Sequence, residues 1–110
     1  MPVMAEISVI PLGTGAAGVS GEIAAALRAL DTHPAVRHEL TAMGTVLTGE
    51  LSDVLAACGT MHAAVLRAGA PRCYTIIKLD ERPGRAADSG EKVAAVRRKL
   101  AQEEGEGMRA

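Results

Sequence analysis

A chain of 110 residues is the length of one domain and can bury a core without metal or disulfide support. A formal net charge of −1 argues against a nucleic-acid surface, and an aromatic content of 1% removes the stacking platforms that single-strand binders use. Two cysteines, Cys58 and Cys73, make no disulfide framework, no apolar run approaches the ~18 residues of a membrane span, and no leader-like segment is evident, so a reduced, cytoplasmic protein is expected.

Residues 3–10 alternate, with Val3, Ala5, Ile7 and Val9 on one face and Met4, Glu6, Ser8 and Ile10 on the other, which predicts a half-buried strand. The stretch VIPLGTGAAG that follows places Gly13, Gly15 and Gly18 at the GxGxxG spacing of dinucleotide-binding loops, with Glu39 about 20 residues further on. The first strand of such folds lies in a parallel sheet and is apolar on both faces. Here one face carries Glu6 and Ser8, and the second strand runs into a hairpin. The loop therefore reads as a strand-to-helix turn, with a small oxyanion at the helix start as the remaining ligand reading.

Ser20 is placed to cap a helix to about Leu30, striped by Ile23, Leu27 and Leu30, which the His33-Pro34 step ends. A second strand is expected over 35–42, and MGTVLTGE supplies a tight turn and a third strand centred on Val46 and Leu47. A helix over about 51–68 is followed by Gly69 at the position of a left-handed cap. RCYTIIKLD forms the fourth strand, with Cys73, Thr75, Ile77 and Leu79 on one face. After the polar loop ERPGRAADSG comes a last helix near 90–103 with Val93, Val96 and Leu100 on one side, and 104–110 reads as a frayed tail. The expected fold is a single α+β domain over 1–103, a ferredoxin-like βαββαβ sandwich with an antiparallel sheet and an extra C-terminal helix.

Chemistry-bearing motifs are sparse. CxxC, HExxH and GxSxG are all missing from the sequence, and His33, His38 and His62 fall on a loop, a strand and a helix, a spacing that supports no metal site. Cys58 and His62 stand at i,i+4 on one helix, which reads as two neighbours on a buried face, and no catalytic residue is assigned. The concentrated feature is polar. Glu6 and Ser8 should share a sheet face with Lys78 and Asp80 or their neighbours of the fourth strand, while Thr41, Met43, Gly44, Thr45 and Glu50 frame the hairpin and its exit. Hydroxyls and carboxylates there suit an aminopyrimidine or a cation, and Met43 offers a polarizable surface to a flat ring.

The segments AEISVIPLGTG at 5–15, HELTAMGTVLTGEL at 38–51, MHAAVLRAGAPRCYTIIKLDER at 61–82 and EKVAAVRRKL at 91–100 occur in the order and spacing of a known family. The chain resembles the small thiamine-binding proteins of ferredoxin-like fold over nearly its whole length. The resemblance implies a non-enzymatic homotetramer that binds thiamine or its hydroxymethylpyrimidine moiety and carries no cofactor. Ser8, Thr14, Met43, Gly44, Thr45, Lys78 and Arg82 stand at the family's motif positions. Ala42 replaces the proline that precedes the methionine. Thiamine carries a cationic thiazolium, so Glu6, Glu50 or Asp80 near that ring would favour it, and Ser8, Thr45 or the Gly44 backbone could supply directional bonds to the pyrimidine. Two other classes stay open: a structural or regulatory oligomer with a vestigial pocket, and a small hydrolase of the same fold. The known acylphosphatase chemistry of the latter needs an asparagine, and the chain has none.

Overall fold

A computed structural model describes residues 1–109, with side chains described through residue 105. The elements are β1 (Val3–Leu12), α1 (Ser20–Ala29), a 3-10 turn (Leu30–Thr32), β2 (Arg37–Leu40), β3 (Thr45–Gly49), α2 (Leu51–Arg67), β4 (Arg72–Asp80) and α3 (Ser89–Arg109). The sheet order is β2-β3-β1-β4 and every pair is antiparallel. This is the ferredoxin-like βαββαβ arrangement, with α1 and α2 on one face of the sheet.

The alternation in β1 decides which face the helices cover. Val3, Ala5, Ile7 and Val9 are buried together with Leu47 of β3, Ala26 of α1 and Val54, Ala57, Cys58, Met61 and Val65 of α2. Without a phenylalanine or tryptophan to fill space, the layer depends on close fitting of branched and small side chains. Each large one contributes roughly 1.5–3 kcal/mol on burial.

Several boundaries differ from the sequence expectation for local reasons. Ser20 is the first residue of α1 rather than its cap; Val19 holds the cap position, and no side chain accepts from the first turn. After Ala29 the chain tightens into the 3-10 turn, where the Thr32 hydroxyl donates to the Ala29 carbonyl at 2.8 Å. His33 then leaves the helical region ahead of Pro34, and its Nε2 shares a 2.8 Å hydrogen bond with the Thr60 hydroxyl of α2. β2 is shorter than residues 35–42 because both ends are engaged locally. The Val36 N–H donates to the His33 carbonyl, and Thr41 closes the hairpin turn. Gly69 takes the left-handed conformation expected after α2.

The largest difference is α3. Asp88 starts it, its carboxylate accepting from the Glu91 N–H at 3.2 Å, and the helix continues through Arg109 where a tail from 104 was expected. Ala110 lies outside the described residues. The helix leaves the body of the domain, so the radius of gyration is 17.3 Å and the longest extent 58 Å, against about 13 Å for the gyration radius of a compact chain of this length.

Candidate ligand-binding site

The sheet face away from α1 and α2 carries the polar set. Cross-strand register places Glu6 between Lys78 of β4 and Val46 of β3, and Met4 between Asp80 and Thr48. On the outer side Ser8 lies opposite Ile76 and Ile10 opposite Tyr74. The expectation that Glu6, Ser8, Lys78 and Asp80 share a face is met by this register. The Glu6 carboxylate lies 3.6 Å from the Lys78 ammonium. Both groups are solvent-accessible, so the pair contributes at most about 1 kcal/mol and is easily exchanged for a ligand.

The turn joining β2 to β3 folds over this face. The N–H and the hydroxyl of Thr41 each donate to the Gly44 carbonyl at 2.8 Å, which fixes the turn. The Ser8 hydroxyl then donates to the Met43 carbonyl at 3.0 Å, tying the turn to β1. Gly44 is required by this approach: a Cβ there would lie 3.0 Å from the Ile7 carbonyl oxygen and 3.1 Å from the Ser8 hydroxyl. With its donor used, the Ser8 oxygen keeps lone pairs to accept from an amino group. The Met43 side chain stands 85% exposed at the tip.

Of the residues expected at a site, Ser8, Met43 and Gly44 are brought together, with Lys78 joined to them through Glu6. The others are placed elsewhere. Thr45 pairs with Ile7 and is buried on the helix-facing side of the sheet, so its hydroxyl does not share the face of Ser8. Glu50 precedes α2, and its carboxylate pairs with the N-terminal ammonium at 3.3 Å. Thr14 lies in the glycine loop past the far end of β1, its hydroxyl engaged with the backbone of Ala16. Arg82 lies at the other end of the sheet, in a cleft of about 220 Å³ with Asp80, Arg85, Glu91 and Lys92. Residues outside that expectation flank the face. Tyr74 and Ile76 are exposed there, and only the β1–β4 register, which periodicity within one strand does not give, aligns them with Ile10 and Ser8.

The glycine loop follows a strand that is antiparallel to both neighbours, so it does not occupy the end of a parallel strand as a dinucleotide loop does. Gly13 and Gly15 both have φ of +77°, which explains their identity as turn residues.

Cys58 and His62 are not engaged with each other. His62 Nδ1 shares a 2.6 Å hydrogen bond with the Thr75 hydroxyl, to which the Cys73 sulfur lies at 3.4 Å. Burial pushes the Cys58 thiol up from its ordinary range. Alkylation of the native protein at neutral pH is therefore expected to modify the half-buried Cys73 first and to reach Cys58 only in denaturant, as mass spectrometry would read; equal rates would show that α2 opens readily. Among the described residues no three or more metal-ligating side chains are grouped, and no helix is long and apolar enough to cross a membrane.

Comparison with known proteins places these features. A model of the thiamine-binding protein family matches residues 5–97. A UPF0045 protein of Methanothermobacter thermautotrophicus is 44% identical over 101 residues, covering 89% of this chain and 99% of the relative. The crystal structure of a hypothetical protein of Methanocaldococcus jannaschii, 36% identical, aligns with a TM-score of 0.78 over 86% of this chain and 95% of that one. A Thermotoga maritima structure described as a candidate thiamine biosynthesis/salvage protein has a TM-score of 0.73 over 87% of this chain and 99% of that one. At 18% identity that likeness speaks to the fold alone. With the family's match running from β1 into α3, the chain belongs to the thiamine-binding protein family.

Proposed function

We propose that the protein binds thiamine or its hydroxymethylpyrimidine moiety in the cytoplasm without transforming it, and that the binding form is a homotetramer. The observation that carries this reading is the Met43–Gly44 turn tied down on Ser8 beside Glu6. An acceptor oxygen, a polarizable thioether and a carboxylate stand on one exposed face, and each has a counterpart in the aminopyrimidine or the thiazolium. Catalysis gains no support from the same surroundings, since the Ser8 hydroxyl donates to the Met43 carbonyl rather than to a base, and no three or more metal-ligating side chains are grouped among the described residues.

The tetramer reading is supported by the edge of the sheet. β4 is an edge strand, and on its helix-facing side Ile77 and Leu79 are exposed, as are Leu51, Leu55 and Leu66 of α2. An open, apolar-flanked edge is a template for pairing with another chain. Two copies joined there by a two-fold axis would cover both stripes at once.

Calorimetric titration with thiamine, hydroxymethylpyrimidine and thiamine diphosphate tests the reading; absence of heat and of thermal stabilisation with all three would refute it. The carboxylate makes a finer expectation. Glu6→Gln keeps the side-chain outline and removes the charge, so thiamine should bind up to about fivefold more weakly, a loss within about 1 kcal/mol for a solvent-exposed charge. Neutral hydroxymethylpyrimidine should be little affected. Equal losses for the two ligands would place the thiazolium away from Glu6.

A further inference from the structure

We propose that Arg82 and Arg85 form a clamp for the phosphate groups of a phosphate ester, so that the protein takes the diphosphate ester of thiamine in preference to thiamine itself. The clamp stands on its own geometry; the identity of the rest of the ester rests on the ligand reading above.

One tight turn presents both arginines. In the run Arg82-Pro83-Gly84-Arg85 the Arg85 N–H donates to the Arg82 carbonyl at 3.1 Å. Proline at the second position and Gly84 at the third, with φ of +82°, make this a type II turn with little freedom. Arg82 and Arg85 are antiparallel bridge partners across it, so their side chains leave on one side, with Cβ atoms about 5 Å apart. Both residues are exposed, and both line the cleft of about 220 Å³ at the end of the sheet. Like charges placed directly opposite each other are destabilising.

The acidic groups of the cleft do not relieve that repulsion, because each is engaged elsewhere. Asp80 holds the Lys92 ammonium at 2.6 Å, Asp88 accepts from the Glu91 N–H at 3.2 Å, and Glu91 accepts from Arg98 at 2.8 Å. Among the described residues neither Arg82 nor Arg85 pairs with a carboxylate. Two planar guanidinium forks that stay charged at any ordinary pH suit an anion with several oxygens and more than one charge. A phosphate ester has both, carrying about −1.5 to −2 at neutral pH. A carboxylate offers two oxygens and a single charge.

The position of the clamp ties it to the site on the sheet. Lys78 and Asp80 lie on the open face opposite Glu6 and Met4, and the two-residue period of β4 carries Arg82 to the same side. Arg82 is four residues beyond Lys78, at most about 14 Å at the strand rise. The cleft is smaller than the roughly 300–1,000 Å³ that encloses a whole small ligand. It therefore suits the end of a ligand whose body rests on the sheet. Along β1 the order is Ser8, then Glu6, then the cleft. With the pyrimidine at the Met43–Gly44 turn and the thiazolium at Glu6, the hydroxyethyl arm extends toward the arginines. That arm carries the phosphates when thiamine is esterified.

The test is calorimetric titration of the parent, Arg82→Gln, Arg85→Gln and Lys99→Gln with thiamine, thiamine diphosphate and inorganic diphosphate. Lys99→Gln removes the same charge from α3 outside the cleft, and thermal unfolding checks that each variant folds. The parent is expected to bind thiamine diphosphate at least about tenfold more tightly than thiamine, and either arginine change to reduce that ratio by about tenfold. Inorganic diphosphate should bind the parent and lose its binding in both arginine variants. Lys99→Gln should keep the parent ratio. A parent that binds the diphosphate ester no more tightly than thiamine overturns the clamp, as does an arginine variant that keeps the preference. An equal drop in Lys99→Gln also overturns it, since overall charge would then be the cause. A parent that binds both diphosphates through the arginines, with no affinity for thiamine or hydroxymethylpyrimidine, overturns the ligand reading and leaves the clamp standing. No binding of any of these ligands overturns both.

Discussion

Gly44→Ala is expected to lower the melting temperature by up to about 20 °C and to weaken ligand binding by about 5- to 150-fold. The added methyl would lie 3.0 Å from a backbone oxygen of β1, 3.1 Å from the Ser8 hydroxyl and 3.3 Å from the Glu6 side chain. The Ile7 carbonyl belongs to the central strand and cannot retreat, so the turn must lift. Overpacking of this kind costs about 1–3 kcal/mol, and each kcal/mol is worth roughly 4–8 °C in a domain somewhat smaller than this one. A lower unfolded-state entropy gives back about 0.4–1 kcal/mol, which sets the lower end of the range. Lifting the turn also separates the Met43 carbonyl from Ser8. A ligand then meets a misplaced acceptor and leaves a polar group of its own unsatisfied, at about 1–3 kcal/mol. Differential scanning calorimetry with and without thiamine reads both effects on one sample. An alanine protein that melts and binds like the parent would mean that the turn stands further from β1 than its geometry here.

The order of elements was legible because each one obeys its own period. β1 alternates strictly, α2 keeps Val54, Cys58, Met61 and Val65 on a single buried stripe, and the turn glycines punctuate both. The face that Glu6 and Ser8 share with Lys78 and Asp80 was also readable from the alternation of the two strands, whereas the register that sets Ser8 opposite Ile76 was not. The site was legible only in part. Whether Thr45 faces Ser8 or the helices depends on how many residues the turn spends before β3 begins. Thr41 closes the turn on Gly44, so β3 starts with Thr45 opposite Ile7 and its hydroxyl goes to the other side. Sequence proximity to Met43 and Gly44 suggested the contrary. Arg82 and Lys78 are likewise close in sequence yet part at the strand exit, where the loop to α3 draws Arg82 toward Arg85. The departure of α3 from the domain left no local mark at all, because an amphipathic helix has the same sequence pattern whichever chain covers it.

Leu47→Ala is expected to cost about 2–5 kcal/mol of stability while leaving the ligand's own stabilising effect intact. Leu47 is fully buried at the centre of β3, opposite Ala5 and His38, and faces the helices. Truncating it removes its apolar burial and leaves a cavity that the surrounding valines and alanines cannot fill. Against a typical domain stability of about 5–15 kcal/mol this is a large fraction, so the variant should melt well below the parent. The proposed ligand face lies on the other side of the same strand. At thiamine near 100 times its dissociation constant the folded state gains about 2.7 kcal/mol in any protein whose site is whole. The parent and Leu47→Ala should therefore show the same gain in unfolding free energy on adding ligand, whereas Gly44→Ala should lose about 1 kcal/mol of it or more. That contrast separates damage to the core from damage to the site, two effects a melting temperature alone would merge. If Leu47→Ala loses the ligand-dependent gain as well, the bound ligand draws on the helix-facing layer, and Thr45, buried beside Ile7, becomes the residue to examine.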